Sequence, residues 1–496
     1  MNTSPPRFST ALLAVIFTIV VLGAFAFYTR GNDFSLVAHA DEKKKVVQIL
    51  DRTRNFNHPL LLLSTTQFLT DRWPGAATPD QVARVGRGVA AAFMAFAVGF
   101  FVLLAHRRAG AVAASTAAVL LLAVPMLFEL GHFFKEDPAL LFGIALTLWL
   151  LDRALEKSTL PRWLLVAMGC AVAASGKYLG ALLILPIGLF LFYRTRGEKM
   201  TRRLGWLTAV LVVFPAAFAV LNLEMMRSLP KAQESVQREI SRVREGGAKG
   251  PRKVPHNDYL KTLKSNVPVP LLVLALGGVI LAFRRGREAR FEQGIFLLAL
   301  GWLILISFSP KVAPRYALPV VTLTVWLAAS GVAWLWQIRS PGWVRVMTLL
   351  LALTGLGLQA RPLYRTIEGF STNNRDDLVR WLLVHSRPGD RIAQDDRVAL
   401  QYQPEFQGRK VLGSKYVADL GTIGELRAKG VRWVVINDGN LVLFEKRAAQ
   451  GANDPLFAAR RAFYKVLQTE NKTALELKES TVSALNPGLL VFDLGE

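Results

Sequence analysis

Ionisable side chains at the ends of long apolar stretches are where this sequence could do chemistry. A charge beside a hydrocarbon phase is costly and persists there only when it is paired or used. Four such places occur along the chain. Asp41-Glu42 follows the first apolar run, with Lys43 to Lys45 behind it. Glu129, His132, Lys135, Glu136 and Asp137 stand between the third and fourth runs. Ser175-Gly176-Lys177-Tyr178 separates two short runs, and the segment 309–319 carries Lys311, Arg315 and Tyr316. Carboxylates and cations together suit a reaction in which an acid–base group takes a proton from a hydroxyl while cations hold a phosphate. Each group also has a plainer reading. Asp41-Glu42 could be a solvated surface pair, Lys177 could snorkel to headgroups, Arg315 could anchor the interface, and Lys43 to Lys45 read as contact with lipid headgroups.

The elements that must position these groups are membrane helices. The chain is 52% hydrophobic yet has a net charge of +24, and the apolar residues come in blocks. Runs at 11–28, 88–105, 204–223, 268–283 and 316–336 approach the roughly 20 residues that cross a hydrocarbon core of about 30 Å. Others lie at 111–128, 138–151, 163–175, 179–193, 293–308 and 344–360, for about eleven transmembrane helices. Alternate short connections are strongly basic: Arg107-Arg108, 153–162, 194–203, 284–290, and Arg339 with Arg345. The opposite connections, 129–137, 176–178 and 309–315, hold only Lys135, Lys177, Lys311 and Arg315. Basic residues resist translocation, so the first set is cytoplasmic and all four candidate clusters lie on the outer side. Much of the net charge is therefore topology signal, and nucleic-acid binding is a poor explanation of it. Ala38-His39-Ala40 imitates a signal-peptidase site, but the apolar run before it is long and ends about ten residues earlier, so a retained helix is expected. Cys170 is the single cysteine and falls inside a run, which excludes an intrachain disulfide.

Residues 1–360 thus form a membrane domain and 361–496 a soluble periplasmic one. In the latter, helices are expected at 376–386, 423–429 and 454–469, with strands at 391–393, 431–436 and 489–492, a small α/β domain. The outer segment 224–267 is basic and reads as one surface helix over 231–244, then a mobile stretch interrupted by Gly246-Gly247 and Gly250-Pro251.

The order of these motifs resembles a known family. An acidic pair opens the first outer loop, His58-Pro59 lies further along it, Glu136-Asp137-Pro138 opens the fourth helix, Gly176-Lys177-Tyr178 follows, and Arg315-Tyr316-Ala317-Leu318-Pro319 comes late. This is similar to the C-type membrane glycosyltransferases, closest to family 39 with its protein O-mannosyltransferases and aminoarabinose transferases. The resemblance covers about 1–360 and rests on order and topology. It implies an enzyme that moves a sugar from a polyprenyl-phosphate donor to an acceptor at the outer face, with inversion. Asp41 would be the general base. Asp137 would orient the acceptor or help bind a divalent metal ion, with Glu42 and Glu136 as lesser candidates. Lys177, Arg315 and Tyr316 would hold the donor phosphate, and His58, Lys311 and Tyr178 would line the site.

Departures matter equally. Leu60 stands where the family often has a second proline, and 224–267 has no room for an inserted β-trefoil, so a protein acceptor is not implied over a lipid or glycan. His58, His132 and His256 show no metal-ligand spacing, and a structural role is expected for each. The competing reading is a transporter or flippase of a lipid-linked or anionic substrate, which would be expected to place its charges near mid-membrane. A bacterial inner membrane, with the N-terminus cytoplasmic and the C-terminal domain periplasmic, fits the short basic loops.

Overall fold

The apolar runs are almost wholly helical in the computed structural model, the run 111–128 being broken at Ala123-Val124; the structure describes residues 10–34, 40–73, 75, 78–246, 254–337, 341–396, 398–400, 403–406, 408–449 and 454–495. Ala38, His39, Gly247, Gly250 and Pro251 lie outside the described residues. In chain order the membrane part comprises α1 (Thr10–Tyr28), α2 (Ala40–Leu50), α3 (Leu61–Thr70), α4 (Pro79–Leu122), α5 (Pro125–His132), α6 (Asp137–Glu156), α7 (Leu160–Gly176) and α8 (Ile184–Arg194). It continues with α9 (Met200–Leu221), α10 (Leu223–Met226), α11 (Leu229–Arg244), α12 (Asp258–Asn266), α13 (Val269–Arg285), α14 (Arg290–Ser307), α15 (Leu318–Gln337) and α16 (Gly342–Ser371).

Among the described residues, seven helical stretches are long and apolar enough to cross a membrane. Pro79–Leu122 takes in the run 88–105 and the first two thirds of 111–128, Val269–Ser307 takes in nearly all of 268–283 and 293–308, and Leu160–Gly176 and Tyr178–Arg194 are shorter apolar helices. Gly110 divides α4 at φ 85°, a left-handed backbone that glycine adopts without strain. Outward-facing leucines and valines, such as Leu189 at 73% and Val220 at 75% exposure, would be intolerable as a continuous surface in water and are ordinary against lipid. α15 is buried along most of its length and donates the Trp326 indole N–H to the Phe101 carbonyl at 3.0 Å.

The tightest helix pair is α6 with α7. A Cβ on Gly143 would stand 2.3 Å from the Ala173 backbone, so this contact exists only because residue 143 has no side chain. Gly176, at the end of α7, makes a second such approach: a Cβ there would lie 2.5 Å from the Leu140 amide nitrogen. The start of α6 and the end of α7 are thereby held together.

The chain divides into two compact units, Met1–Asp33 with Asp41–Tyr364 and Phe34–Ala40 with Arg365–Glu496. The second is a small α/β domain, as expected. Its sheet has the order β2-β1-β3-β5-β4, from β1 (Arg391–Asp395), β2 (Val411–Ser414), β3 (Val431–Asn437), β4 (Thr473–Leu477) and β5 (Leu489–Asp493). β2, β1 and β3 run parallel, β5 pairs antiparallel with β3, and β4 pairs antiparallel with β5 at the edge. β3 alternates faces. Trp433 and Val435 pack with Leu378 and Leu382 of α17 (Asn374–His385). Val434 and Ile436 pack with residues of α18 (Ile423–Ala428), α19 (Asp438–Ala449) and α20 (Pro455–Glu470). Both faces are covered, which explains why β3 reads as a continuous apolar run.

Replacing Gly143 with Val should force α6 and α7 apart. Overpacking costs about 1–3 kcal/mol, so the purified variant is expected to melt several degrees below wild type. An unchanged melting temperature would show that the contact is not close.

Candidate active site

Three features of local sequence set the site. The first is α2, whose pattern buries Glu42, Lys45, Val46, Gln48 and Ile49 and leaves Asp41, Lys43 and Lys44 exposed. Residues 41 and 42 are adjacent but about 100° apart around a helix, so they cannot share a direction. Glu42 points inward to Arg87 of α4, with Oε2 2.6 Å from Nη2, and both side chains are 0% exposed. Its Oε1 also accepts the Phe134 amide N–H at 2.8 Å, and Arg87 donates to the Asn32 carbonyl at 3.0 Å. One turn on, Lys45 pairs with Glu136 at 3.1 Å. Two ion pairs therefore fix α2 against α4 and the turn before α6, and Asp41 is left facing outward from that contact.

The second feature is the junction of α6 and α7. Asp137 begins α6 and is 2% exposed. The close approach at Gly176 brings Lys177 to it, with Nζ 2.7 Å from Oδ1. The Lys177 ammonium also lies 4.7 Å from the centre of the Tyr316 ring, and Arg315 stands 3.8 Å from Asp137 Oδ2. Third, the loop before α15 is held by the buried Tyr259, whose hydroxyl accepts the Ala313 N–H at 3.2 Å, and by Trp302, which donates to the Tyr316 carbonyl at 3.2 Å.

These segments enclose one cavity of about 150 Å3, lined by Asp41, His58, Lys135, Glu136, Asp137, Lys177, Lys311, Arg315 and Tyr316, with Glu239 and Arg242 from α11. Eight of the ten residues expected at a site are thus brought together. Glu42 is not among them: it is a buried anchor, turned away by the helical period. Tyr178 is the other exception, since its hydroxyl donates to the Phe56 carbonyl at 2.8 Å and so secures the loop that carries His58. Lys45, expected at the headgroups, is instead 5% exposed and paired with Glu136. His132 lies outside the cavity, its ring nitrogens 2.7 and 2.8 Å from the Phe128 and Arg30 carbonyls, and His256 contacts the Ser309 carbonyl at 3.1 Å.

Sequence reasoning missed Glu239 and Arg242. Lys311 pairs with Glu239 at 2.6 Å and Arg242 with Glu239 at 3.2 Å, so the basic outer segment supplies a wall of the cavity. The only available signal was their spacing of three on an amphipathic helix, which puts both on one face.

The electrostatics follow from crowding. Burial opposes a charge on Glu136, but the His58 imidazole, protonated at the low pH where this carboxyl titrates, and the ammonium groups of Lys45 and Lys177 overcome it and hold the carboxyl well below the usual range. Glu136 draws a proton towards His58, yet burial together with Lys177 and Lys45 outweighs it, so the imidazole sits below its ordinary range and is neutral at pH 7. Burial and the Arg315 guanidinium push the Lys135 ammonium down against the pull of Asp137 and Asp41. The arrangement does not fit a divalent metal ion. Among the described residues no three His, Cys, Asp or Glu side chains are arranged so that they could hold a metal ion, and Asp137 and Glu136 are already engaged by cations.

Comparison with known proteins bears out the resemblance read from the motifs. Residues 79–221, spanning α4 to α9, match the family model described as dolichyl-phosphate-mannose-protein mannosyltransferase. The structure of ArnT from Cupriavidus metallidurans bound to undecaprenyl phosphate is similar over 97% of this chain and 98% of that one, at 14% identity and a TM-score of 0.53. The oligosaccharyltransferase AglB from Archaeoglobus fulgidus, in complex with an inhibitory peptide and a dolichol-phosphate, is similar over 87% of this chain and 70% of that one, at 12% identity and a TM-score of 0.53. No curated protein matches the chain by sequence. The fold is that of the C-type membrane glycosyltransferases, a multi-pass helical membrane domain with a C-terminal sheet domain.

Arg87→Met alone should destabilise the protein by about 3–5 kcal/mol, because it leaves the Glu42 carboxylate buried without its guanidinium. The double variant Glu42→Gln with Arg87→Met should recover much of that loss in thermal unfolding. Additive losses would show that the two side chains do not interact.

Proposed function

We propose that this protein is an inverting glycosyltransferase that moves a sugar from a polyprenyl-phosphate donor to a hydroxyl acceptor at the outer face of the membrane. The observation that carries the reading is one cavity in which Asp41 faces Lys177, Lys135 and Arg315 at the ends of membrane helices. Donors of this class contain a phosphate diester at the anomeric carbon. The acceptor oxygen attacks that carbon from the side opposite the phosphate, the carbon–oxygen bond to phosphate breaks, and its electron pair stays on the departing polyprenyl phosphate. A single displacement of this kind inverts the configuration.

Asp41 takes the acceptor proton as the new bond forms. Departing phosphate gains a second negative charge, so the leaving group needs cations more than it needs an acid. Lys177 and Arg315 supply them, with Tyr316 packed against the lysine. A cation about 4 Å from that charge contributes roughly 4 kcal/mol at an effective dielectric of about 20, against about 1 kcal/mol in bulk water. Asp137 positions both cations rather than reacting, and Glu42 positions Asp41 by anchoring its helix. The lipid phosphates bound to ArnT and AglB support the donor class, and the short basic loops support a bacterial inner membrane with the C-terminal domain in the periplasm.

Purified protein incubated with labelled polyprenyl-phosphate sugars and candidate acceptors should release free polyprenyl phosphate only when an acceptor is present. Asp41→Asn should still bind donor and lower that release about 10²–10⁴-fold, the ordinary contribution of a general base. If both proteins bind the donor and neither consumes it, transport of a lipid-linked substrate becomes the better reading.

A further inference from the structure

The cavity that holds Asp41 borders a second chamber of about 80 Å3. Asp41, His58, Glu136 and Arg242 line both spaces and so form the wall they share. On the far side of that wall the lining changes: Lys44, Lys45, Gln48, Asn55 and Asn57 take the place of Lys177, Arg315 and Tyr316. The general base thus has the proposed donor cations on one side and a chamber of amides and ammonium groups on the other.

Charge placement indicates what the second chamber holds. Three cations, Lys44, Lys45 and Arg242, face two carboxylates, Asp41 and Glu136. Lys45 is matched by Glu136 at 3.1 Å. Glu239 lies 3.2 Å from Arg242 but also 2.6 Å from Lys311, so one carboxylate is shared between two cations and a positive charge is left over. When Asp41 becomes protonated during transfer, the surplus grows by one. An apolar acceptor would strip water from the amides of Gln48, Asn55 and Asn57 without replacing its hydrogen bonds, and a neutral sugar would leave the surplus charge unanswered.

Resting on the glycosyl-transfer reading above, we infer that this second chamber is the acceptor subsite, and that it takes a hydroxyl compound bearing an oxyanion, a phosphate ester or a carboxylate, close to the reacting oxygen. Lys44 and Arg242 hold that oxyanion, and the hydroxyl beside it is thereby delivered to Asp41. Recognition by a lysine and an arginine on two different helices fixes the group's position as well as its charge.

The test uses the full-length protein in detergent with the first chamber saturated by polyprenyl phosphate, and follows binding of three small probes by NMR titration: glycerol 1-phosphate, glycerate and glycerol. Wild type should bind both anions at least tenfold more tightly than glycerol, and the preference between the two identifies the oxyanion. Lys44→Glu, a change at an exposed side chain, and Arg242→Ala should each weaken the anions at least tenfold, with polyprenyl phosphate affinity unchanged in Lys44→Glu. Lys44→Arg should retain binding. Anion binding no tighter than glycerol, or binding that neither variant weakens, overturns the acceptor subsite. Failure of wild type to bind polyprenyl phosphate at all would instead overturn the glycosyl-transfer reading.

Discussion

The buried pair between Glu42 and Arg87 is the interaction on which the arrangement of this site depends. Neither side chain has any exposed surface, and an isolated charge in such surroundings costs several kcal/mol even after relaxation. Each group therefore fixes the other. Because Glu42 also accepts the Phe134 N–H, the constraint reaches beyond two helices to the turn that precedes Glu136 and Asp137. Displacing α2 would break the pair, release the turn and separate Asp41 from the cations across the cavity. The buried Glu42 carboxylate thus determines where Asp41, the proposed base, can be.

A second constraint operates between α6 and α7, and it is steric. Gly143 and Gly176 let the two helices approach until backbone meets backbone, and only that spacing lets Lys177 reach Asp137 at 2.7 Å. The lysine is then 12% exposed, enough to present one face to a ligand while Asp137 compensates its charge from behind. A cation held this way is preorganised: it need not be dragged out of water when a phosphate arrives, which is the condition under which electrostatic stabilisation is largest.

The sequence revealed the membrane part to the extent that physics limits its options. A bilayer demands long apolar helices, and Lys and Arg distribution orders them, so the four clusters could be assigned to one side before any coordinates. Their meeting in one cavity followed, because loops on the same side of a small bundle have little room to diverge. What could not be read was direction and long-range pairing. Glu42 and Asp41 look equivalent in a sequence, and only the phase of α2 against α4 separates them. Lys311 and Glu239 are 72 residues apart, and nothing local announces their contact. In the C-terminal domain the buried strands β1, β3 and β5 were legible from their apolar content. β2, with Gly413 inside it, and β4, whose side chains are largely exposed, were not, and α19 was hidden because it starts immediately after β3.

The position of the charges also bears on why a membrane interface would suit the proposed chemistry. In water, cations around a departing phosphate would be screened and separately hydrated, and their summed effect would be small. In the core of the bilayer the same charges would be too costly to keep. At the ends of the helices, with α11 closing one side through Glu239 and Arg242, the groups are dry enough to act strongly and near enough to solvent to remain ionised. His58 illustrates the balance. It stands beside the ionised Glu136 yet is held below its ordinary range, because its own burial and the neighbouring ammonium groups outweigh the pull of Glu136 and Glu239. A neutral imidazole in the wall that the two chambers share adds no charge of its own, so the division between a cationic end and an amide-rich end is left to the lysines, the arginines and Asp41.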